Sequence, residues 1–154
     1  AAADTDLFEF CRSLTALRRD HPAFRRRRWF QHQAIRGTEE VYWLRSDGQP
    51  MSDDDWSTGY ARSVGMLLNG DSISTTDRYG GRVVDDTFLL CFNASELDLP
   101  WQLPSAIWAR PWDVAIDTSQ RHPSATPFAA DATVDVMHRS TLVLRSPRLD
   151  GVDG

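Results

Sequence analysis

The hydrophobic period of this chain changes once, and that change limits what it can fold into. From Asp4 to Asp20 the apolar residues Leu7, Phe10, Cys11, Leu14 and Leu17 recur at helical spacing, with Asp4, Thr5 or Asp6 placed to cap the start. His21-Pro22 ends that helix, because a residue preceding proline is pushed out of the α region. From about residue 60 the period is two. Ala61 to Leu68, Thr87 to Asn93, Trp112 to Ile116, Val134 to Val136 and Ser140 to Leu144 are short apolar or alternating runs, separated by turn clusters such as Asn69-Gly70-Asp71 and Gly80-Gly81. Strands at this spacing with no helix between them predict an antiparallel sandwich or open barrel. The fold class expected is therefore mostly β, an antiparallel β-sandwich preceded by one α-helix. An isolated helix with a single apolar stripe needs something to cover it.

Between these regions the pattern is thinner. Arg25 to Arg28 is an unbroken run of four arginines, followed by Trp29-Phe30. Residues 31 to 48 read as irregular apart from an extended piece, Val41-Tyr42-Trp43-Leu44, that ends at the turn signal Ser46-Asp47-Gly48. Ser52-Asp53-Asp54-Asp55-Trp56 reads as one capped helical turn, acidic residues favouring a helix N-terminus. The expected organisation is a terminal helix over 1–24, a connecting segment over 25–60, a sandwich over 61–147 and a polar tail over 148–154.

Composition excludes several classes of function. A net charge of −5 argues against nucleic acid or an anionic membrane surface as a partner. No run of 18 apolar residues is present to span a bilayer, and Ala1 to Asp6 does not read as a secretory signal. Cys11 and Cys91, each in an apolar stretch, are expected as buried free thiols in a cytoplasmic setting. His21, His32, His122 and His138 show no metal-ligand spacing, and Asp53-Asp54-Asp55 and Asp85-Asp86 are consecutive residues that point in different directions. No metal or cofactor is expected. The six tryptophans are the best candidates for sugar contact, since the apolar face of a sugar ring stacks on an indole. Trp43, Trp56 and Trp112 sit in apolar or capped contexts that favour core packing. Trp101 and Trp108 flank prolines in loop-like sequence and are the glucan-binding candidates.

Five strings then carry a resemblance. Leu14 to Arg26, LTALRRDHPAFRR, is similar to an "LxxLRxxHPxFRR" segment; Tyr42 to Gly48 to "xWLRPDG"; Met51 to Trp56 to "MTDEDW"; Ala61 to Gly70 to "ARSLGVFLNG"; and Asp86 to Ala94 to "DSFLLLFNA". Each is weak alone; together, in this order, they resemble the C-terminal region of isoamylase-type glycogen debranching enzymes (the GlgX and TreX group) of the α-amylase superfamily. The sequence departs from the pattern at Ser46, where a proline is usual, and at Ser95-Glu96-Leu97, where the family usually has paired histidines and a proline.

The resemblance implies that the helix ending at Asp20 is the last helix of a TIM-type catalytic barrel, and that the residues beyond it form a C-terminal sandwich. The stripe of Leu7, Phe10, Leu14 and Leu17 would then lie on that barrel, and Arg25 and Arg26 would pair with acids at the same interface, where bidentate geometry favours arginine. The family's catalytic acids lie upstream of every matched string, so no catalytic residue is expected here, and the chain alone is expected to be inactive. The function implied is a non-catalytic accessory region of an α-1,6-glucosidase of glycogen catabolism, with branched α-glucan as the substrate of the parent enzyme. Two alternatives stay open: a stand-alone glucan-binding module, and an interaction domain that docks on a separately encoded barrel.

Overall fold

The run Thr87–Asn93, TFLLCFN, is apolar on both sides of its pleat, and the other strands are arranged around it. In chain order the elements are helix α1 (Ala2–Asp20), a 3₁₀ turn (Pro22–Phe24), β1 (Val41–Leu44), α2 (Asp53–Ser57), β2 (Ser63–Leu68), a second 3₁₀ turn (Gly70–Ser72), β3 (Thr87–Asn93), β4 (Leu99–Gln102), β5 (Trp112–Asp117), β6 (Pro127–Phe128), β7 (Thr133–Val136) and β8 (Ser140–Ser146). The computed structural model describes residues 2–26, 39–58, 62–107 and 111–148. Expectations that fall on Arg27, Arg28, Trp29, His32, Ala61 and Trp108 lie outside the described residues.

Six strands form one antiparallel sheet in the order β1-β2-β3-β8-β5-β6, and β4 pairs with β7 in a second, two-stranded sheet. The expectation of a mostly antiparallel β architecture led by one helix is what the chain adopts. Val41–Leu44, the extended piece of the 25–60 segment, is the edge strand of the large sheet, each of its residues pairing with β2. Its free edge is covered by the chain's own return: Met51 N–H donates to the Trp43 carbonyl at 2.9 Å and Arg45 N–H to the Gln49 carbonyl at 2.8 Å. The strand β4 was not expected. Pro100 argues against a central strand, but in a two-stranded sheet every strand is an edge, and Pro100 is exposed there.

The inner face of the large sheet buries Leu67, Leu89, Cys91, Val114, Leu142 and Leu144 against Trp101, Val134 and Val136 of the small one. The outer face carries Leu68, Phe88, Val143 and Ile116, against which Phe10, Leu17, Ala23 and Phe24 are laid. A bulge in β5 makes this second layer possible. Val114 pairs with Leu144 while Ile116 pairs with Val143, so Ala115 is an extra residue that turns Ile116 to the outer face. Buried Asn93 closes the end of β3: its amide donates to the carbonyls of Leu97, Val136 and Met137, and its oxygen accepts from Ser95 N–H and Oγ. Every hydrogen-bonding site of that buried amide is used.

Gly65 is fixed by the approach of the two sheets. A Cβ there would lie 2.8 Å from Trp101 Cζ2 and 3.3 Å from Leu44 Cβ. Gly65→Ala is expected to cost about 1–3 kcal/mol by overpacking, read as a lowered urea midpoint with an unchanged m-value.

Candidate docking face

Helix α1 lies on the outer face by one side only. Phe10 and Leu17, seven residues apart, share the side that meets Phe88 and Val143. Leu14 sits about 60° round the helix from Leu17 and is 40% exposed, while Leu7 is 62% and Phe8 65% exposed. The four stripe residues therefore divide: Phe10 and Leu17 cover this chain's own sheet, and Leu7 and Leu14 face outward. Cys11, expected to be buried, lies on the exposed side, whereas Cys91 is fully buried and its thiol is pushed well above its ordinary range by desolvation; both are free.

The outer face continues past the helix. The pairings Trp43–Met66 and Met66–Leu90 run across three strands, and all three residues are half-buried. Trp56 of α2 sets its ring edge-on to Trp43 at 5.5 Å and is 55% exposed, so it is not the core residue its context suggested. This arrangement is held by Arg45, which grips Asp47 with two hydrogen bonds and reaches Asp55 at 3.5 Å. Asp55 in turn completes a capping box with Ser52. The two strings around residues 42–56 are thus one structural unit.

The join between α1 and the sheet is polar and closed. Asp85 accepts from His21 Nδ1 at 2.7 Å, Ala23 N–H at 2.8 Å and Asp86 N–H at 2.8 Å. Asp86 accepts from Arg145 Nε at 2.5 Å and Arg148 N–H at 2.7 Å. His21, Asp85 and Asp86 approach closely enough to suggest a cation site. Their partners argue otherwise: an arginine already balances Asp86, and backbone amides take up Asp85. The set is a clasp.

Arg25 is exposed, but Arg26 does not face outward as expected. Its guanidinium donates to Glu40 at 2.7 Å, the two side chains being 5% and 1% exposed, and Glu40 also accepts from Ser74 N–H at 2.7 Å. Burial pulls the Arg26 pKa down while Glu40 opposes that shift. Pairing with an acid was foreseen; the acid belongs to this chain.

Trp101 is placed differently from the sequence reading, and Trp112 as that reading had it. Trp101, a glucan candidate, is 0% exposed between the sheets and offers no face to a sugar; Trp112 is likewise 0% exposed, as a core residue should be. The proline-flanked sequence around Trp101 reads as loop because β4 is too short to show alternation. A cleft of about 340 Å³ opens instead at the β1 end of the sandwich, beside Tyr42, Gln49, Pro50 and Pro104. No helix among the described residues is long and apolar enough to cross a membrane.

No protein-family model matches the chain. Over 147 residues, 92% of its length, it is 42% identical to the glycogen operon protein GlgX homolog of Mycobacterium tuberculosis, and equally to that of Mycobacterium bovis. Over 107 residues, 70% of its length, it is 28% identical to the glycogen debranching enzyme of Yersinia pestis. The chain resembles the C-terminal region of a glycogen debranching enzyme. It spans about a fifth of the GlgX homologs and 13% of the Yersinia protein. The strings around residues 14–26, 42–56, 62–70 and 86–94 of this GlgX-like chain are the helix-to-sheet join, the arginine-braced turn, β2 and β3. They are parts of the outer face of the large sheet and its supports.

Removing either partner of the Arg26–Glu40 pair leaves a buried unbalanced charge. Arg26→Ala and Glu40→Ala are each expected to cost about 3–5 kcal/mol in chemical denaturation, and the Arg26→Met/Glu40→Leu double variant much less than their sum. The pH dependence follows from the depressed carboxylates. Asp55 is held low first by the Ser52 amide and Asp47 first by Arg45, so their stabilisation is present above the unfolded Asp pKa of about 3.9 and is lost as the pH falls through their lower folded values. The melting temperature should lose this contribution only below about pH 4, and Asp55→Asn should blunt that part of the decline.

Proposed function

We infer that this chain is the accessory C-terminal region of a glycogen debranching enzyme, acting in the cytoplasm, and that it makes no bond-breaking contribution itself. The parent protein hydrolyses α-1,6 branch linkages of glycogen, and this region covers one side of the catalytic barrel and shapes the approach of branched glucan. The observation that carries the reading is the divided helix: α1 is anchored to the sheet by Phe10 and Leu17 while Leu7, Phe8 and Leu14 stand in solvent. The occupant is the remaining four-fifths of the protein, since the chain spans 20% of its GlgX relatives. Each fully covered leucine or phenylalanine adds about 1.5–3 kcal/mol, enough for three side chains and the Trp43–Trp56 edge to hold two domains together.

Acid–base hydrolysis of a glycoside by a retaining enzyme needs two carboxyl groups about 5–5.5 Å apart, one on each side of the bond. The neighbouring acids Asp85 and Asp86 are engaged by His21, Arg145 and three backbone amides, which supports a structural role for them.

The test is reconstitution. The chain is mixed with a separately produced barrel portion of a GlgX-type enzyme, and association is read by gel filtration and linear-chain release from a branched glucan. Leu7→Asp/Leu14→Asp is expected to weaken association at least tenfold at an unchanged melting temperature. Undiminished association of that variant, or chain release by the 154-residue chain alone, would overturn the reading.

A further inference from the structure

A mismatch between the two sheets creates a second site. Six strands span about 24 Å and the facing pair only about 5 Å between strand axes, so the small sheet cannot cover the inner face out to its edge strand. At the β1 end the uncovered space is the 340 Å³ cleft, within the range of about 300–1,000 Å³ found for small-molecule sites. Its walls are fixed. The 45–50 turn is held by the Arg45–Asp47 pair and by Gly48 N–H on the Arg45 carbonyl, and Gln102 N–H donates to the Ser46 carbonyl at 2.8 Å, tying that turn to β4. The Gln102 side chain is locked between the Asp131 carbonyl at 2.5 Å and Thr133 Oγ1 at 3.2 Å.

The chemistry of the lining is selective. The half-buried Tyr42 ring, Pro50 and Pro104 supply apolar surface. Gln49, Ser105 and Asp131 present an amide, a hydroxyl and a carboxylate whose atoms have no partner among the described residues. Among the described residues no arginine or histidine lines the cleft, and Asp47, also at its rim, is balanced by Arg45. Among the described residues a phosphorylated or carboxylated ligand would meet acids and no cation. A neutral, polyhydroxylated ligand with one apolar face fits both halves of the lining.

We propose that the Tyr42–Gln49–Asp131 cleft is a non-catalytic subsite for a linear stretch of α-glucan. The choice of α-glucan among neutral saccharides rests on the glycogen-debranching reading. The site opens on the inner side of the large sheet, the side of Tyr42 and Leu44, whereas α1 and Trp43 occupy the outer side. A glucan chain held here leaves the docking face unobstructed, so the region would keep hold of the polymer while the active site works on a branch.

The 154-residue chain is titrated with maltohexaose by amide NMR and calorimetry, with cellohexaose as comparator. Saturable shifts centred on Gly48, Gln49 and Asp131 are expected. Gln49→Ala/Asp131→Asn should weaken binding at least fivefold at an unchanged melting temperature, and asparagine suits the left-handed backbone of Asp131 (φ 61°). Ser105→Arg, which fills the cleft, should abolish binding. The absence of saturable shifts, undiminished binding by either variant, or equal binding of cellohexaose would overturn the proposal. Maltohexaose binding alongside failed barrel association would sink the docking reading alone, and the converse would sink this site alone.

Discussion

A sheet apolar on both faces cannot leave either one in water, and the rest of this structure depends on how the second face is covered. On the inner side the small sheet supplies a cover from within the strand sequence. On the outer side the chain reaches back to its own beginning, and Phe10 and Leu17 of α1 lie on Phe88 and Val143, residues more than 70 positions later in sequence. The helix alone has too few good contacts to hold this position. The clasp of His21, Ala23, Asp85 and Asp86 fixes its C-terminal end, and the buried Arg26–Glu40 pair fixes the chain leaving it. Polar groups hold the register, and apolar area provides the driving force.

This arrangement explains the character of the matched strings. Asn93 ties together three carbonyls and a loop, Arg45 braces a turn to a helix cap, and Gly65 makes room for a tryptophan from the facing sheet. None of these residues needs to touch a substrate to be required at its position. The helix also has two sides, one buried against this chain's own sheet and one exposed at Leu7, Phe8 and Leu14.

The large-scale organisation was readable because it rests on local periodicity. The single helix, its stop at His21-Pro22, the strand cores at 87–93, 112–116 and 140–144, and the capped turn at 53–57 all follow from spacing and from residues with restricted backbones. The edge strand β1 was visible as an extended piece, but its membership of the sheet was not, because pairing with β2 spans some 25 residues. The strand β4 stayed hidden behind Pro100, and the bulge at Ala115 reversed the facing of Ile116, which alternation alone assigns to the same side as Val114.

The candidate sites show the same division. Sequence placed Trp101 at a surface and Arg26 at an outer interface, and both are buried, since a side chain's exposure is decided by what folds over it. The cleft beside Tyr42 has no signature in sequence at all, because it arises from the unequal widths of two sheets. What the sequence determined by itself is the order of elements and the apolar character of each, both set by interactions within a few residues. Tertiary structure decided which side of α1 is free, which acid meets Arg26 and where a ligand-sized space remains, because each depends on contacts between residues far apart in the chain.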